Sequence, residues 1–287
     1  MDRKTLYVSD LDGTLLQPDA TISPATLRML AEAATGGALF TIATARTPAT
    51  VAPILKDVEL RIPAVVMTGT ALWDKNTVRY SDVHYIDHAA ASELVGIYRE
   101  MSYPTFLYTL RDDMIDIYHI GPLSDIERRF IEERRDNPYK RFHIPASGDS
   151  RLPDDLGHTI LFYGMQPDAH SEATHRLTSR VEGARTQKYH DFYGPEIGIL
   201  EAFSPLSTKA RAIHELACRT GAGRIVAFGD NLNDLSMLEM ADVGVAMANG
   251  VEEVKLRADV VTGPNTADSV ARFILDDMER EAARGKS

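Results

Sequence analysis

Short apolar runs alternate with helix signals over the first third of the chain. Residues 5–8, 38–43 and 64–67 form strand-like runs in which nearly every position is apolar. Strands of this kind are buried on both faces, which is typical of a parallel sheet covered by helices. The pattern therefore predicts an α/β fold at the start of the chain, with successive strands of one sheet.

The pattern becomes mixed after residue 82. Helix and strand signals alternate over residues 88–101, 104–109, 114–120, 124–136, 157–164 and 168–181. Arg111 to Asp113 indicates a hairpin turn between two of these strands. Hairpins and half-polar strands predict an antiparallel α+β unit. Residues 137–156, which are rich in Pro, Gly, Ser and Asp, are predicted to be a loop of that unit.

The alternation of strands and helices resumes near residue 197. Predicted strands and helices follow one another over residues 197–203, 207–219, 225–228, 232–241, 244–247, 251–257, 259–261 and 267–283. The apolar strand 225–228 leads directly into an acidic loop, Gly229-Asp230-Asn231. In this respect it repeats the strand 5–8, which leads into Asp10 and Asp12.

The composition is that of an ordinary globular protein. The 287 residues correspond to about two domains at roughly 150 residues each. Hydrophobic residues make up 44% and charged residues 25% of the chain, which excludes a disordered protein. Cys218 is the single cysteine, and this excludes an intramolecular disulfide and a multi-cysteine metal site.

The net charge and the distribution of apolar residues narrow the function classes. No run approaches the roughly 20 apolar residues that span a bilayer, and the first residues do not resemble a secretion signal. We therefore expect a soluble, cytoplasmic protein without a membrane partner. The net charge of −11 disfavours nucleic acid as a partner, because an acidic surface repels phosphate backbones. The sequence leaves the oligomeric state open.

Polar side chains follow four of the predicted strands. They are Asp10, Asp12 and Thr14 after the first strand; Thr44 and Arg46 after the second; Thr68 after the third; and Asp230, Asn231, Asn233 and Asp234 after the strand 225–228. Lys209 lies early in the predicted helix 207–219. Ligands of open α/β sheets bind at the carboxyl ends of the strands. We therefore expect these groups to form one site if the fold unites both ends of the chain.

Four aspartates in these groups indicate a site for a hard cation. Asp10 and Asp12 are two residues apart, and Asp230 and Asp234 are four apart. Each pair alone could equally well belong to an ordinary turn or helix cap. Together they form an oxygen-rich set of the kind that Mg²⁺ prefers. The chain has neither a cysteine cluster nor an HExxH pattern, so zinc is not expected.

Thr44 and Lys209 add groups that suit an anion next to such a cation. A hydroxyl can donate a hydrogen bond to a phosphoryl oxygen, and a lysine ammonium is a point charge suited to phosphate. A lone lysine is most often a surface residue, so this interpretation depends on the acidic loops around it.

These residues occur in the order of a known set of motifs. Asp10-Leu11-Asp12-Gly13-Thr14, Thr44, Lys209 and Gly229-Asp230 with Asp234 resemble the four motifs of the haloacid dehalogenase-like (HAD) phosphohydrolase superfamily. The long insert before Lys209 and the Gly-Asp-Asn-x-Asn-Asp form of the last motif resemble its Cof subgroup. The resemblance implies a Rossmann-like parallel-sheet core of residues 1–82 and 192–287. Residues 83–191 would be an α+β cap inserted between the second and third motifs.

The resemblance also implies a mechanism. Asp10 would be the nucleophile that forms an aspartyl-phosphate with the substrate. Asp12 would protonate the leaving alcohol as a general acid and then activate water as a base. In the superfamily an aspartate at the position of Asp12 is typical of phosphatases and mutases, and it is missing from the dehalogenases. The resemblance therefore favours phosphoryl transfer.

The other site residues receive roles from the same resemblance. Mg²⁺ would be held by Asp10, by the backbone carbonyl of Asp12 and by Asp230. Thr44 and Lys209 would bind the phosphoryl oxygens. The residues expected to support the metal-bound waters, Lys209 or the site lining are Asn233, Asp234 and Asn249.

The expected function is Mg²⁺-dependent hydrolysis of small phosphorylated metabolites. Sugar phosphates are the first candidates for the substrate, and pyridoxal phosphate or flavin mononucleotide come next. A phosphosugar mutase with the same fold and site is an alternative enzyme. A non-catalytic phosphate-binding regulatory module is an alternative of another class, which the presence of every motif residue disfavours.

Several positions depart from the subgroup and leave questions open. Ala45 and Thr68-Gly69-Thr70 differ from the usual glycine and Asn-Gly-Ala, and Asp268-Ser269-Val270 differs from the commoner Asp-Gly-Val. No catalytic group is removed, but the roles of Arg46 and Thr68 stay undecided. Contacts from the cap to the leaving group are expected from the 111–113 turn or from Tyr189 to Tyr193, and Trp73 is expected to pack in the core or a hairpin.

Overall fold

The structure is a computed structural model that describes residues 4–190 and 194–284. Its contacts divide the chain into two units, one of Met1–Asp82 with Ser207–Ser287 and one of Val83–Leu206. We call the first the core unit and the second the inserted unit, because the second interrupts the first in the sequence.

The helices and strands follow one another in the order expected for two different kinds of sheet. They are β1 (Thr5–Ser9), α1 (Pro24–Thr35), β2 (Leu39–Ile42), α2 (Pro48–Val51), β3 (Ala64–Val66), β4 (Ala71–Asp74), β5 (Arg79–Ser81), α3 (His88–Glu100), β6 (Thr105–Arg111), β7 (Met114–Ile120), α4 (Asp125–Glu132), β8 (Lys140–Phe142), β9 (Thr159–Pro167), α5 (Asp168–Thr178), β10 (Arg185–Tyr189), β11 (Ile197–Phe203), α6 (Lys209–Thr220), β12 (Arg224–Gly229), α7 (Leu235–Met240), β13 (Val243–Ala246), α8 (Glu252–Arg257), β14 (Val260–Val261) and α9 (Ser269–Arg284). Across the part of the chain that the structure describes, no helix is both long and apolar enough to cross a bilayer.

The core unit contains a five-stranded parallel sheet in the order β14-β13-β12-β1-β2. Successive side chains of β1 point to opposite faces of this sheet. Leu6 and Val8 belong to an apolar cluster with residues of α6, α7 and α8, whereas Tyr7 donates a hydrogen bond to Asp277 of α9. Helices therefore cover both faces, which is why β1 is apolar throughout. The predicted α/β parallel-sheet core is confirmed.

The strand order places the two ends of the chain side by side. β1 lies between β2 and β12, and Ser9 at its end pairs with Phe228 of β12. The chain thus runs to one side of β1 first and returns on its other side later. The carboxyl ends of β1 and β12 flank this reversal, which is where open α/β sheets bind ligands.

The strand β3 does not extend the parallel sheet as expected. It pairs antiparallel with β4, which pairs with β5, and a single parallel bridge from Ala43 to Val65 links this small sheet to the end of β2. The apolar run of β3 is buried in either arrangement, so the pattern cannot distinguish them. Trp73 of β4 is fully buried, as predicted for hairpin packing.

The inserted unit contains a six-stranded sheet in the order β10-β11-β9-β6-β7-β8. Neighbouring strands are antiparallel except β7 and β8, which are parallel. The predicted hairpin turn lies between β6 and β7, where Asp112 and Asp113 both have positive φ. An antiparallel α+β unit is therefore confirmed, although β8 lies within the stretch 137–156 that was predicted to be a loop.

The insertion ends later than predicted. The boundary lies between Leu206 and Ser207, not between residues 191 and 192. The reason is β11, which we expected in the core sheet and which pairs antiparallel with β9 and β10. This strand is buried between two neighbours in the inserted sheet. Its apolar run therefore has the same appearance as a strand of a buried parallel sheet.

Candidate active site

The chain after β1 forms a tight loop that carries the first two aspartates. The backbone N–H of Asp10 donates a hydrogen bond to the carbonyl of Phe228 at 2.9 Å. Leu11–Leu15 then form a kinked turn, in which Asp12 has an extended ψ of 125° and Gly13 has a φ of +73°. A Cβ atom at this position would lie 2.3 Å from Oδ2 of Asp230. Glycine is therefore required both by the backbone angle and by the close approach of Asp230.

The loop after β12 carries the second acidic pair. Oδ2 of Asp234 accepts hydrogen bonds from the backbone N–H groups of Asp230 and Asn231, at 3.0 and 3.1 Å. Oδ1 of Asp230 accepts a hydrogen bond from the hydroxyl of Thr14 at 2.8 Å. Asp234 thus shapes its own loop, and Asp230 is joined to the loop after β1.

Lys209 connects the two loops from the start of α6. Its Nζ lies 2.6 Å from Oδ1 of Asp10 and 2.7 Å from Oδ1 of Asp234. Thr208 caps the helix by accepting a hydrogen bond from the N–H of Arg211. Lys209 and Asp234 are fully buried, and Asp10 is nearly so. The three side chains therefore form a dry carboxylate–ammonium–carboxylate row, which we call the buried row.

Burial and neighbouring charges shift the pKa values of this row. Burial would lower the pKa of Lys209, but the carboxylates of Asp10 and Asp234 outweigh it and raise the pKa. Burial raises the pKa of Asp10 to about 7; Lys209 opposes the rise, and Asp234 and Asp230 add to it. Burial also raises the pKa of Asp230, with Thr14 opposing through its hydrogen bond. The site therefore contains more carboxylates than the single ammonium of Lys209 can neutralise.

The oxygen atoms of this site fit a divalent cation. Asp10, Asp230 and Asp234 each offer a carboxylate oxygen within 4.8 Å of the others. Both oxygens of Asp234 are occupied by Lys209 and by backbone N–H groups. The hydrogen bonds of the described residues engage one oxygen of Asp10 and one of Asp230. Asp10 and Asp230 are therefore the carboxylates best able to coordinate Mg²⁺, which prefers few carboxylates and several waters.

Thr44 lies buried two residues after the end of β2. Its backbone N–H donates to the carbonyl of Val65 at 3.0 Å. Its hydroxyl oxygen accepts a hydrogen bond from the N–H of Arg46 at 3.1 Å, which leaves the hydroxyl proton to donate elsewhere. This arrangement suits an anion bound at the same sheet edge.

Asp12 lies at the rim of the site and pairs with Arg46. Nε and Nη2 of Arg46 donate to the two oxygens of Asp12, at 2.8 and 2.6 Å. The Asp12 side chain is 54% exposed and that of Arg46 is 29% exposed. The hydrogen bonds to Asp12 raise the pKa of Arg46. The sequence alone assigned no role to Arg46. Its position two residues after Thr44 was the feature of the sequence that could have indicated a place in the site.

Thr68 has an unusual backbone conformation beside Thr44. Its N–H donates to the carbonyl of Thr44 at 3.0 Å, and its φ and ψ are 55° and 30°. Met67 and Gly69 also have positive φ. A left-handed conformation is strained for a β-branched residue such as threonine. Asparagine or glycine at position 68 would adopt this backbone conformation with less strain.

The two asparagines with expected supporting roles lie in different places. Asn233 is exposed, and no hydrogen bond in the described part of the chain joins it to Lys209. Nδ2 of Asn249 donates to the carbonyl of Gly13 at 2.7 Å. Asn249 therefore contacts the loop of Asp10 and Asp12, whereas Lys209 is supported by Asp234.

Two segments of the inserted unit were expected to contact the leaving group. Arg111, at the 111–113 turn, lies 3.0 Å from Nδ1 of His158 and 3.7 Å from the carboxylate of Asp155. Tyr189 ends β10 and is partly exposed, and residues 191–193 lie outside the described residues. Both expectations stay predictions.

Proteins of known type resemble this chain over nearly its whole length. A family model described as haloacid dehalogenase-like hydrolase matches residues 7–274. The chain is 28% identical over 271 residues to the pyridoxal phosphate phosphatase YbhA of Escherichia coli, covering 94% of this chain and 97% of that protein. It is 29% identical over 282 residues to the 5-amino-6-(5-phospho-D-ribitylamino)uracil phosphatase YitU of Bacillus subtilis, covering 94% of this chain and 96% of that protein.

A solved structure agrees with the fold. A haloacid dehalogenase-like hydrolase from Bacteroides thetaiotaomicron has a TM-score of 0.74 to this chain at 22% sequence identity. The match covers 96% of this chain and 99% of the other. Both units of the described fold are therefore included in the similarity.

Proposed function

The chain belongs to the haloacid dehalogenase-like hydrolases and is a phosphatase of the Cof type, and we propose that it hydrolyses small phosphorylated metabolites with the help of Mg²⁺. The observation that carries the proposal is the buried row of Asp10, Lys209 and Asp234, with Asp230 beside it. These residues supply a carboxylate that can act as the nucleophile, a lysine ammonium that can bind phosphate and carboxylate oxygens that can bind Mg²⁺. All of them lie at one edge of the sheet.

Asp10 is the proposed nucleophile. One of its carboxylate oxygens attacks the phosphorus, and the bond from phosphorus to the leaving oxygen breaks as the aspartyl-phosphate forms. Asp12 gives a proton to the leaving oxygen. In the second step Asp12 takes a proton from water, whose oxygen attacks the phosphorus and releases phosphate and free Asp10.

Binding of the phosphoryl group depends on the buried row and on Thr44. Lys209 faces Asp10 and supplies the positive charge that offsets the carboxylate and the phosphate. The hydroxyl of Thr44 donates to a phosphoryl oxygen. Asp234 holds Lys209 in place, so these groups need little rearrangement during the reaction.

Asp10, Asp230 and the backbone carbonyl of Asp12 are the proposed ligands of Mg²⁺. When bound, the metal offsets the repulsion between the carboxylate and the phosphate dianion. The raised pKa of Asp10, about 7, supports this proposal, because burial and the neighbouring carboxylates of Asp234 and Asp230 outweigh the single ammonium of Lys209 and a bound cation would offset them.

Arg46 is proposed to orient Asp12. Its two hydrogen bonds hold the carboxylate in one position at the rim of the site. The pair must loosen when Asp12 acts as an acid, and its exposure to solvent makes this loosening inexpensive in free energy.

The proposed substrates are sugar phosphates or phosphorylated compounds of similar size. The names of the two relatives describe phosphatases of pyridoxal phosphate and of a phosphoribityl-amino-uracil. Each of these compounds carries one phosphate ester on a small polar body, and this supports the same general class for the present chain.

A phosphate-release screen tests the proposed function. Phosphorylated metabolites, including sugar phosphates, pyridoxal phosphate and flavin mononucleotide, are incubated with the protein in Mg²⁺ or in EDTA. We expect release from at least one compound that depends on Mg²⁺ and is lost in Asp10→Asn. Asp10→Asn should retain the fold by circular dichroism.

Two outcomes would contradict the proposal in different ways. Release by Asp10→Asn at the unaltered rate would remove Asp10 from the role of nucleophile. Conversion of a hexose 1-phosphate to its isomer in the presence of a bisphosphate activator, without free phosphate, would identify a mutase.

A further inference from the structure

Two asparagines hold the loop of Asp10 and Asp12 from its outer side. Nδ2 of Asn249 donates to the carbonyl of Gly13 at 2.7 Å, and Nδ2 of Asn265 donates to the carbonyl of Leu16 at 2.7 Å. Gly13 lies inside the turn Leu11–Leu15, and Leu16 follows it directly. The two side chains thus fix the middle and the end of the turn.

The two asparagines also bind each other. The backbone N–H of Asn265 donates to Oδ1 of Asn249 at 2.9 Å. Because this N–H requires an oxygen partner, the amide of Asn249 must turn its NH₂ group toward Gly13. Gln17 adds a fourth hydrogen bond, from its Nε2 to the carbonyl of Asn265 at 3.2 Å. We call these connected residues the asparagine bracket.

The far side of the bracket is attached to the helices of the core unit. The hydroxyl of Ser269, the first residue of α9, donates to the carbonyl of Pro264 at 2.8 Å. Asp268, which has a positive φ, accepts hydrogen bonds from the hydroxyls of Ser23 and Thr26 at the start of α1. The bracket therefore connects the loop to two helices and is not an isolated surface contact.

We propose that Asn249 and Asn265 are positioning residues for Asp12. This inference rests on the proposed function, in which Asp12 is the general acid and base. Asp10 is held independently by β1, by Phe228 and by Lys209. Asp12 is exposed, and the residue after it is a glycine, whose backbone is free unless its carbonyl is held. Loss of the bracket should therefore disturb Asp12 far more than Asp10.

The leaving group of the substrate distinguishes these two effects. Release of p-nitrophenolate needs little protonation, whereas release of an alkoxide needs a general acid. The ratio kcat/KM reports the steps up to transfer of the phosphoryl group to Asp10. We expect Asn265→Ala and Asn249→Ala to lower kcat/KM for glycerol 3-phosphate or a sugar phosphate about tenfold, as for one lost hydrogen bond. The loss for p-nitrophenyl phosphate should be several times smaller.

A matched control comes from another asparagine of the core unit. Nδ2 of Asn76, at the turn between β4 and β5, donates to the carbonyl of Leu60 at 3.0 Å. Asn76→Ala loses the same kind of hydrogen bond without touching the bracket, so the ratio of the two substrates should not change. In the Asp12→Ala background, Asn265→Ala should cause no further loss, because residues that act through one another are not additive.

Equal losses for both substrates, or an additive loss in the Asp12→Ala background, would overturn the inference. Failure of the proposed function is seen separately, as a lack of phosphate release by the unaltered protein from any compound. In that case the hydrogen-exchange rate of the peptide covering residues 11–17 decides whether the asparagine bracket holds this loop. It should become faster in Asn249→Ala and Asn265→Ala and not in Asn76→Ala, and unchanged exchange would refute the bracket.

Discussion

The candidate site has a buried half and a rim half that contain similar ion pairs in different surroundings. In the buried half, Nζ of Lys209 lies 2.6 Å from Asp10, and the side chains are 0% and 9% exposed. In the rim half, Arg46 lies 2.6 Å from Asp12, and the side chains are 29% and 54% exposed. The same separation therefore has very different energetic consequences, because water screens the rim pair and not the buried pair.

The difference matches two tasks of phosphoryl transfer. A group that binds phosphate and metal gains from a dry, fixed surrounding, in which charges interact strongly. A group that must donate and accept protons works better in contact with water, and its ion pair must be weak enough to break during the reaction. The comparison teaches that burial, not distance, separates the residues proposed to bind charge from the residue proposed to move protons.

Removal of the buried ammonium should have the largest effect. Lys209→Met leaves two carboxylates buried without their partner, so we expect a loss of about 3–5 kcal/mol in the free energy of unfolding. We also expect kcat/KM to fall on the order of 10²–10³-fold. Denaturant titration and phosphate-release assays measure the two effects. Lys255→Met, which removes a surface pair with Glu252, is the control and should cost less than about 1 kcal/mol.

Loss of the rim carboxylate should separate activity from stability. Asp12→Ala should reduce kcat by about 10²–10⁴-fold, as expected for a general acid and base. The free energy of unfolding should change by less than about 1 kcal/mol, because its ion pair is exposed. A large loss of stability would show that the rim half is structural, and an unchanged kcat would remove Asp12 from its role.

Loss of the partner of Asp12 should have a smaller effect on activity. Arg46→Ala leaves Asp12 in place but without its two hydrogen bonds, so we expect kcat to fall about tenfold. Arg46→Lys should recover only part of this loss, because an ammonium cannot make the paired contact of a guanidinium. Full recovery in Arg46→Lys would mean that charge alone, and not orientation, is required.

The pH dependence of stability, compared between the unaltered protein and Asp10→Asn, should report the titration of Asp10. Burial raises the pKa of Asp10 to about 7, against about 3.9 in an unfolded chain. Between these values the folded protein holds the extra proton, so this contribution to stability is present at acid pH and is lost as the pH rises to about 7. In EDTA, the Tm of the unaltered protein should therefore fall from pH 5 to pH 8 relative to that of Asp10→Asn.

Added metal should reverse this trend. If Mg²⁺ binds as proposed, it binds the ionised carboxylate, so its stabilising effect should be larger at pH 8 than at pH 5. Thermal unfolding at both pH values, with and without Mg²⁺, measures the difference. A gap between the Tm values of the unaltered protein and Asp10→Asn that does not vary with pH would argue against a raised pKa.

The sequence predicted the groups at the sheet edge better than it predicted their partners. Asp10, Asp230 and Lys209 could be selected because they follow strands or begin a helix at positions typical of α/β sites. The pairing of Arg46 with Asp12 could not be predicted, since it depends on how two loops approach across 34 positions of sequence. The hydrogen bonds of Asn265 to Asn249 and Leu16 were also not predicted, because a polar residue in a loop has no periodic pattern that would distinguish it.

The same limit applies to the fold. Apolar runs and caps identified nearly every strand and helix of the core unit, because burial and local backbone preferences are recorded residue by residue. They did not show that β11 belongs to the inserted sheet or that β3 turns away from the parallel sheet. Those assignments depend on which strand lies next to which, and a buried strand carries the same apolar residues in either sheet.

The sequence by itself determined the α/β character of the core, the antiparallel character of the insert and the position of Asp10 and Asp12 in the loop after the first strand. Only the tertiary structure decided that Asp10 meets Lys209 across 199 positions of sequence and that Asp12 stays at the exposed rim. The physical reason is that local preferences act between neighbours along the chain, whereas charge pairing and burial of single side chains depend on the order of strands in the sheet. The site is thus encoded in short motifs but is assembled by long-range packing.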